Sequence, residues 1–150
     1  MRMHQHVVAS GILSGGIYAL TRSPEVAAGS FVTGVFMDLD HIFDYWMAHP
    51  FKLDLAHFFE TCEEYKLPKT YLFLHSFELV APLSLLAYYT RSPWITGFLL
   101  GWIPHIVLDY FMNGAYPLSY FFLYRVAIKF DIAKVFSPPP DRTGRPHGKD

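Results

Sequence analysis

Eight residues, Met37-Asp38-Leu39-Asp40-His41-Ile42-Phe43-Asp44, place three carboxylates and an imidazole inside an otherwise apolar stretch. This constrains the fold more than any other feature, because unpaired carboxylates are costly to bury unless a cation compensates them. Read as helix, Asp38 and His41 fall at i,i+3 and Asp40 and Asp44 at i,i+4, so each pair shares a face while the two pairs point apart. A divalent metal satisfies Asp oxygens and a neutral His nitrogen together. A solvated helix end, with the acids facing water, is the plainer reading, and this segment alone does not decide between the two.

Composition narrows the setting. Charged residues make up 17% of the chain, against roughly 25% in an ordinary soluble domain. Aromatic residues reach 18% and hydrophobic residues 52%, which points to a lipid-facing or very apolar surface. The 150 residues suit one domain. A net charge of -1 gives no basis for a nucleic-acid partner. Cys62 is the single cysteine, which excludes an internal disulfide and a cysteine-based zinc site. Any metal must be held by His, Asp and Glu, and eight histidines are available.

Helix signals punctuate the chain. An apolar run follows His6, and its Ser14-Gly15-Gly16 interruption argues for a retained helix over about 6–21 rather than a cleaved signal peptide. Gly11, Gly15 and Gly16 would let neighbouring helices approach closely. Ser23-Pro24-Glu25 reads as an N-cap, a Pro at the first helical position and a first-turn acid, opening a helix to about Met47. The stretch 51–69 mixes apolar and charged residues and predicts one amphipathic connecting helix, over the core or at a membrane surface. Further apolar helices are expected over 71–90, carrying His75 and Glu78, and over 94–112, carrying His105 and Asp109. A last aromatic helical segment spans 116–136, with Arg125, Lys129 and Lys134 along one side. Asn113-Gly114 predicts a turn, and 137–150 reads as a disordered Pro-rich polar tail. The expected fold is therefore all-α, a bundle of about five apolar helices in one domain over 1–136.

No uncharged apolar run reaches the roughly 18 residues of a simple membrane span. Every candidate span carries an ionisable residue, and such residues normally face the bundle interior and mark function. Composition and the aromatic residues favour an integral membrane protein in contact with a lipid bilayer, over a compact soluble enzyme with very apolar core helices. Positive charges sit in almost every loop, so orientation is not readable from them; the basic C-terminal region points weakly to a cytoplasmic tail.

His105 and Asp109 lie one helical turn apart in an apolar setting, and an internally satisfied core pair would explain them if they stood alone. His75 with Glu78 makes a second such pair, and Asp38 with His41 a third. Three stripes of His and carboxylate pointed into a bundle would make a two-metal site, with His6 joining from the first helix. The donors suit zinc, manganese or iron, and magnesium less well. His4 falls on a different face from His6, so at most one of them serves. His49, His57 and His147 are expected to face solvent.

The order His6-Val7-Val8-Ala9-Ser10-Gly11, Asp38-Leu39-Asp40-His41, His75-Ser76 and His105-Ile106-Val107-Leu108-Asp109 resembles the membrane-bound metal-dependent hydrolases of the YdjM type. Gly101-Trp102-Ile103-Pro104-His105 and Gly114-Ala115-Tyr116-Pro117 fit the same pattern, and the resemblance covers about 6–124. Met37 stands where that family has Pro. Thr70 stands where the His of its His-Arg-Gly falls, with Glu78 the candidate to replace that ligand. The His-x-x-x-Asp helix is also distantly similar to one in the zinc-dependent phospholipase C and P1-type nuclease group.

These resemblances imply metal-dependent hydrolysis of a phosphoester, with lipid among the substrates. His6, Asp38, His41, His75, His105 and Asp109 would hold zinc, manganese or iron, in one or two ions, and Asp40 or Glu78 would act as general base. Two other readings of the same residues are a metal-stabilised membrane protein without catalysis and a proton or metal-ion carrier.

Overall fold

The computed structural model describes residues 3–50, 52 and 54–137. Apart from Ser137, the Pro-rich tail lies outside the described residues, as does His147. The chain is all-helical: among the described residues there is no strand, only the isolated bridges Lys69–Asp131 and Ala115–Phe136.

Helices α1 (Met3–Thr21) and α2 (Pro24–Phe36) form a hairpin. The Ser23 side chain accepts from the Val26 N–H at 3.3 Å, with Pro24 at the first helical position. A second hairpin joins α5 (Val80–Thr90) to α6 (Pro93–Met112), turning at Arg91, whose φ of 52° ends α5 in the left-handed region. Between them lie a 3₁₀ turn (Met37–Leu39), α3 (Asp40–Ala48), α4 (Leu55–Glu63) and a 3₁₀ turn (Phe77–Leu79). A short α7 (Phe122–Ala127) and a last 3₁₀ turn (Ile132–Lys134) follow α6.

The hairpins meet where α2 and α6 run parallel in close contact. A Cβ on Gly97 would strike the Val26 carbonyl, one on Gly101 the Ser30 carbonyl, and one on Gly34 the Ser10 hydroxyl of α1. Small residues thus let the backbones approach, the packing used where helices associate without a hydrophobic drive. Both tight turns, Arg22-Ser23 and Arg91-Ser92, consequently lie at one end of the bundle. The other end receives the start of α1, the ends of α2 and α6, and everything between α2 and α5.

Three expectations change. The helix expected from Pro24 to Met47 is interrupted by the 3₁₀ turn Met37–Leu39, which divides α2 from α3 within one apolar stretch that runs to Ala48. The helix expected over 71–90 begins only at Val80, because side chains capture the backbone of 70–76: Asp44 accepts from the Tyr71 N–H at 2.9 Å and Asp40 from the Leu74 N–H at 3.0 Å. Buried backbone groups need partners but not helical ones. The final helix over 116–136 is reduced to six residues, and the rest folds back on the 70–77 loop through Thr70 N–H to Phe130 O at 2.9 Å and Phe77 N–H to Tyr120 O at 2.9 Å. A small core of Met37, Leu72, Ile106, Tyr120, Val135 and Phe136 seals this end.

Polarity is inverted. Among the described residues, buried polar and charged side chains outnumber buried hydrophobic ones, while Ile12, Leu20, Tyr89 and Phe111 expose between 73% and 87% of their surface. Buried polar groups and large exposed apolar surface are the informative departures from ordinary folding. By length and composition two stretches, Pro24–Ala48 and Pro93–Met112, can cross a bilayer.

Candidate metal centre

Six residues expected as ligands converge at the closed end of the bundle. His6, Asp38, His105 and Asp109 form one group and Asp38, His41 and His75 another, each with ligand atoms all within 4.8 Å of one another. Asp38 belongs to both. His6 Nε2 lies 3.2 Å from Asp109 Oδ1 and 3.6 Å from Asp38 Oδ2. His105 Nε2 lies 3.3 Å from both Asp38 Oδ1 and Asp109 Oδ2, and His75 Nε2 3.4 Å from the same two atoms. A tetrahedral shell with bonds of about 2.1 Å separates its ligand atoms by about 3.4 Å, which these distances match.

Two of the imidazoles, His75 and His105, are also oriented through Nδ1. His105 Nδ1 donates to the Gly34 carbonyl at 2.9 Å, a contact that the glycine approach of α2 and α6 makes possible. His75 Nδ1 lies 3.1 Å from Asp40 Oδ2. Neutral rings that donate from Nδ1 present bare lone pairs at Nε2, and these two Nε2 atoms face each other at 3.2 Å. Two lone pairs and two carboxylates converging on one point call for a positive charge between them. With no cation between them the same carboxylates favour a proton on His75 instead: burial opposes its charge, yet Asp40 and hydrogen bonds to Asp109, Asp38 and Asp40 outweigh burial and raise the pKa well above the usual imidazole range, so a bound metal would take that proton's place. The donor set therefore fits a divalent cation.

His75 sits in a loop, not on a helical stripe with Glu78, and the loop is positioned from both sides. Asp40 and Asp44, one turn apart on α3, hold it through Leu74, Tyr71 and the Thr70 hydroxyl, which donates to Asp44 Oδ2 at 2.8 Å. On the other side the fully buried Arg125 of α7 donates to the carbonyls of Leu72 (2.8 Å), His75 (3.0 Å) and Ser119 (2.7 Å), and to Ser76 Oγ (2.6 Å). Burial draws its pKa below the usual guanidinium value. Sequence reasoning placed Arg125 on a charged side of a long helix and missed this role; a lone Arg amid aromatic residues was the available signal.

The two residues expected as general bases stand differently. Asp40 is behind His75 as its orienting carboxylate, with Oδ1 buried and unpaired. Glu78 belongs to neither metal group; its Oε1 accepts from the Leu123 N–H at 3.1 Å and anchors α7. His4 is exposed, as expected when His6 serves. His49 and His57, expected to face solvent, are half-buried: His57 Nδ1 is 2.9 Å from Tyr45 Oη, and His49 stacks on the Tyr45 ring.

The cluster is open on one side. Asp38, His41 and Asp109 line a pocket of about 510 Å³ that extends beneath α4. Cys62 also lines it, but burial, with Asp44 and Asp38, pushes its thiol up to about 12, so it is no nucleophile at neutral pH. No protein-family model, curated protein or solved structure matches this chain, and its chemistry is read from these side chains.

Proposed function

We propose that this chain is a membrane-embedded hydrolase that uses divalent metal to cleave phosphoesters. The observation that carries the reading is the convergence of the His75 and His105 Nε2 atoms on Asp38 and Asp109, two carboxylates that also line an open pocket. Zinc fits the mixed imidazole and carboxylate donors best, ahead of manganese and iron. Asp38 falls in both donor groups, so the residues would hold either one ion, between His75, His105, Asp38 and Asp109, or two, with His6, His105 and Asp109 toward one and His41 and His75 toward the other. Bound metal supplies an activated water and neutralises charge on phosphoryl oxygens. Asp40 keeps His75 facing the centre, Arg125 fixes the His75 backbone, and the partly exposed Asp38 and His41 form the side that water and substrate reach.

Membrane integration is supported by the exposed apolar surface and its layering. Tyr18, Tyr88, Tyr89 and Trp94 cluster with Arg22 and Arg91 around the tight-turn end, as at a membrane–water interface. Along α6 the span from Pro93 to His105 rises about 18 Å at 1.5 Å per residue, which puts the metal centre within the hydrocarbon layer near the opposite interface. Lys52, Lys66, Lys69, Lys129 and Lys134 lie at that end, so the positive-inside rule turns the site toward the cytoplasm.

The test is metal content of detergent-purified protein by elemental analysis, wild type beside Asp109→Ala and His41→Ala, followed by phosphate release from a panel of mono- and diesters. Stoichiometric metal lost in both variants, with metal-dependent release, supports the reading. Wild-type protein that stays metal-free after incubation with zinc and manganese refutes it. Metal without hydrolysis across the panel leaves a structural or transport site.

A further inference from the structure

The pocket beside the metal ligands has two chemically different ends. One end carries Asp38, His41 and Asp109. Much of the rest is walled by hydrocarbon, from Ile42 on α3, Leu55, Phe58 and Phe59 on α4, and Phe36 and Leu39 around the α2–α3 junction, with Gln5, Thr61, Glu63, Thr70 and Asn113 the polar exceptions. The described residues that line it include no Lys or Arg, so a phosphate can find positive charge only at the metal end. Its orientation in the pocket is thereby fixed, and whatever is esterified to it must lie along the apolar walls.

The mouth points the same way. Leu55 exposes 74% of its surface, and Phe36 and Leu39 53% each, so on that side the lining continues into the exposed apolar exterior, while the exposed Gln5 and Glu63 are its polar members. Beyond Phe36, which lines both spaces, a second groove of about 250 Å³ runs along α2 and α6 between Val32, Leu83, Phe98 and Trp102. A chain passing over Phe36 therefore remains on an apolar track.

We infer that the substrate is an amphiphile, a phosphoester whose phosphate meets the metal at Asp38, His41 and Asp109 and whose hydrocarbon chain lies between α3 and α4, entering sideways from the bilayer. The inference rests on the proposed metal-hydrolase function and specifies its substrate class. In the reaction water adds at phosphorus, the ester P–O bond breaks, and the chain-bearing alcohol leaves with the proton that water gives up. No oxidant or reductant is needed.

The experiment uses zinc-loaded, full-length protein in nanodiscs and two inert probes, ethylphosphonate and octylphosphonate. Affinities are referred to free aqueous ligand and compared with protein-free discs. Each methylene taken from water is worth about fourfold in affinity, so three or four in the pocket make octylphosphonate bind about 100-fold tighter. The variant Leu55→Ser/Phe59→Ser alters two exposed walls, and is expected to keep its metal while losing most of that preference. Equal affinity for the two probes, or a preference unchanged in the variant, overturns the amphiphile assignment. In either case, phosphate release from short esters would leave the hydrolase reading standing. Failure of zinc-loaded protein to bind either phosphonate overturns both. A chain-length preference that the variant abolishes, without hydrolysis of octyl phosphate, keeps the amphiphile site and removes the catalysis.

Discussion

Replacing Asp40 by Asn separates orientation of a ligand from ligation itself. Asp40 Oδ2 accepts from the Leu74 N–H at 3.0 Å and lies 3.1 Å from His75 Nδ1, while Oδ1 has no partner. An Asn that puts its carbonyl oxygen at the Oδ2 position keeps both contacts, and its amide nitrogen falls on the unpaired side. The loop is therefore retained and only the negative charge behind His75 is lost. Outer carboxylates of this kind are worth about 10- to 100-fold in metal affinity, or roughly 1.4–2.7 kcal/mol. Asp40→Ala loses both contacts and leaves the part-buried Leu74 N–H without its acceptor, adding about 1 kcal/mol of lost fold stability. Competition against a chromophoric chelator measures the first effect and thermal unfolding the second. Glu78→Gln, which preserves the hydrogen bond to Leu123, is the comparison and should bind metal within about twofold of wild type. An Asn variant as deficient as Asp109→Ala would make Asp40 a ligand and refute the reasoning. An Asn variant equal to wild type would show that His75 needs no carboxylate behind it.

Two further substitutions test how the site is held. Gly101→Ala drives a methyl into the Ser30 carbonyl and separates α2 from α6, so His105 loses Gly34 and metal affinity falls by at least tenfold in the chelator titration; Gly15→Ala, in open space, changes neither metal binding nor assembly. Arg125→Met strips four hydrogen bonds from the His75 loop and the segment around Ser119 and should cost about 3–5 kcal/mol in unfolding measurements, the loss of charge burial offsetting part of it. Lys does not rescue it, because one ammonium cannot reproduce the two-sided guanidinium fork.

The parts of this structure that local rules govern were readable in the sequence. Ser23-Pro24 and Ser92-Pro93 mark where α2 and α6 begin, and one-turn spacing put His105 beside Asp109. The convergence of His6, Asp38, His41, His75, His105 and Asp109 could be anticipated because buried carboxylates and imidazoles need a common partner. What escaped depends on groups distant in sequence. Residues 70–76 carry an apolar pattern fit for helix, yet Asp40 and Asp44, some thirty positions earlier, take their N–H groups. Arg125 then takes their carbonyls. Glu78 was consequently assigned to a stripe that does not exist. Loop charges likewise looked evenly scattered along the chain, and only the parallel course of α2 and α6 sorts Arg22 and Arg91 to one end and the described lysines, with the buried Arg125, to the other.

That parallel course also divides ownership of the site. The first hairpin brings His6 and its following turn Asp38; the second brings His105 and Asp109; His41 and His75 belong to the connection between them. Neither hairpin carries the full set of donors, so a first hairpin made alone has its acid uncompensated. The cluster comes into being only when α6 docks on α2, so on the proposed metal-site reading metal capture would report that the chain has been completed and correctly assembled.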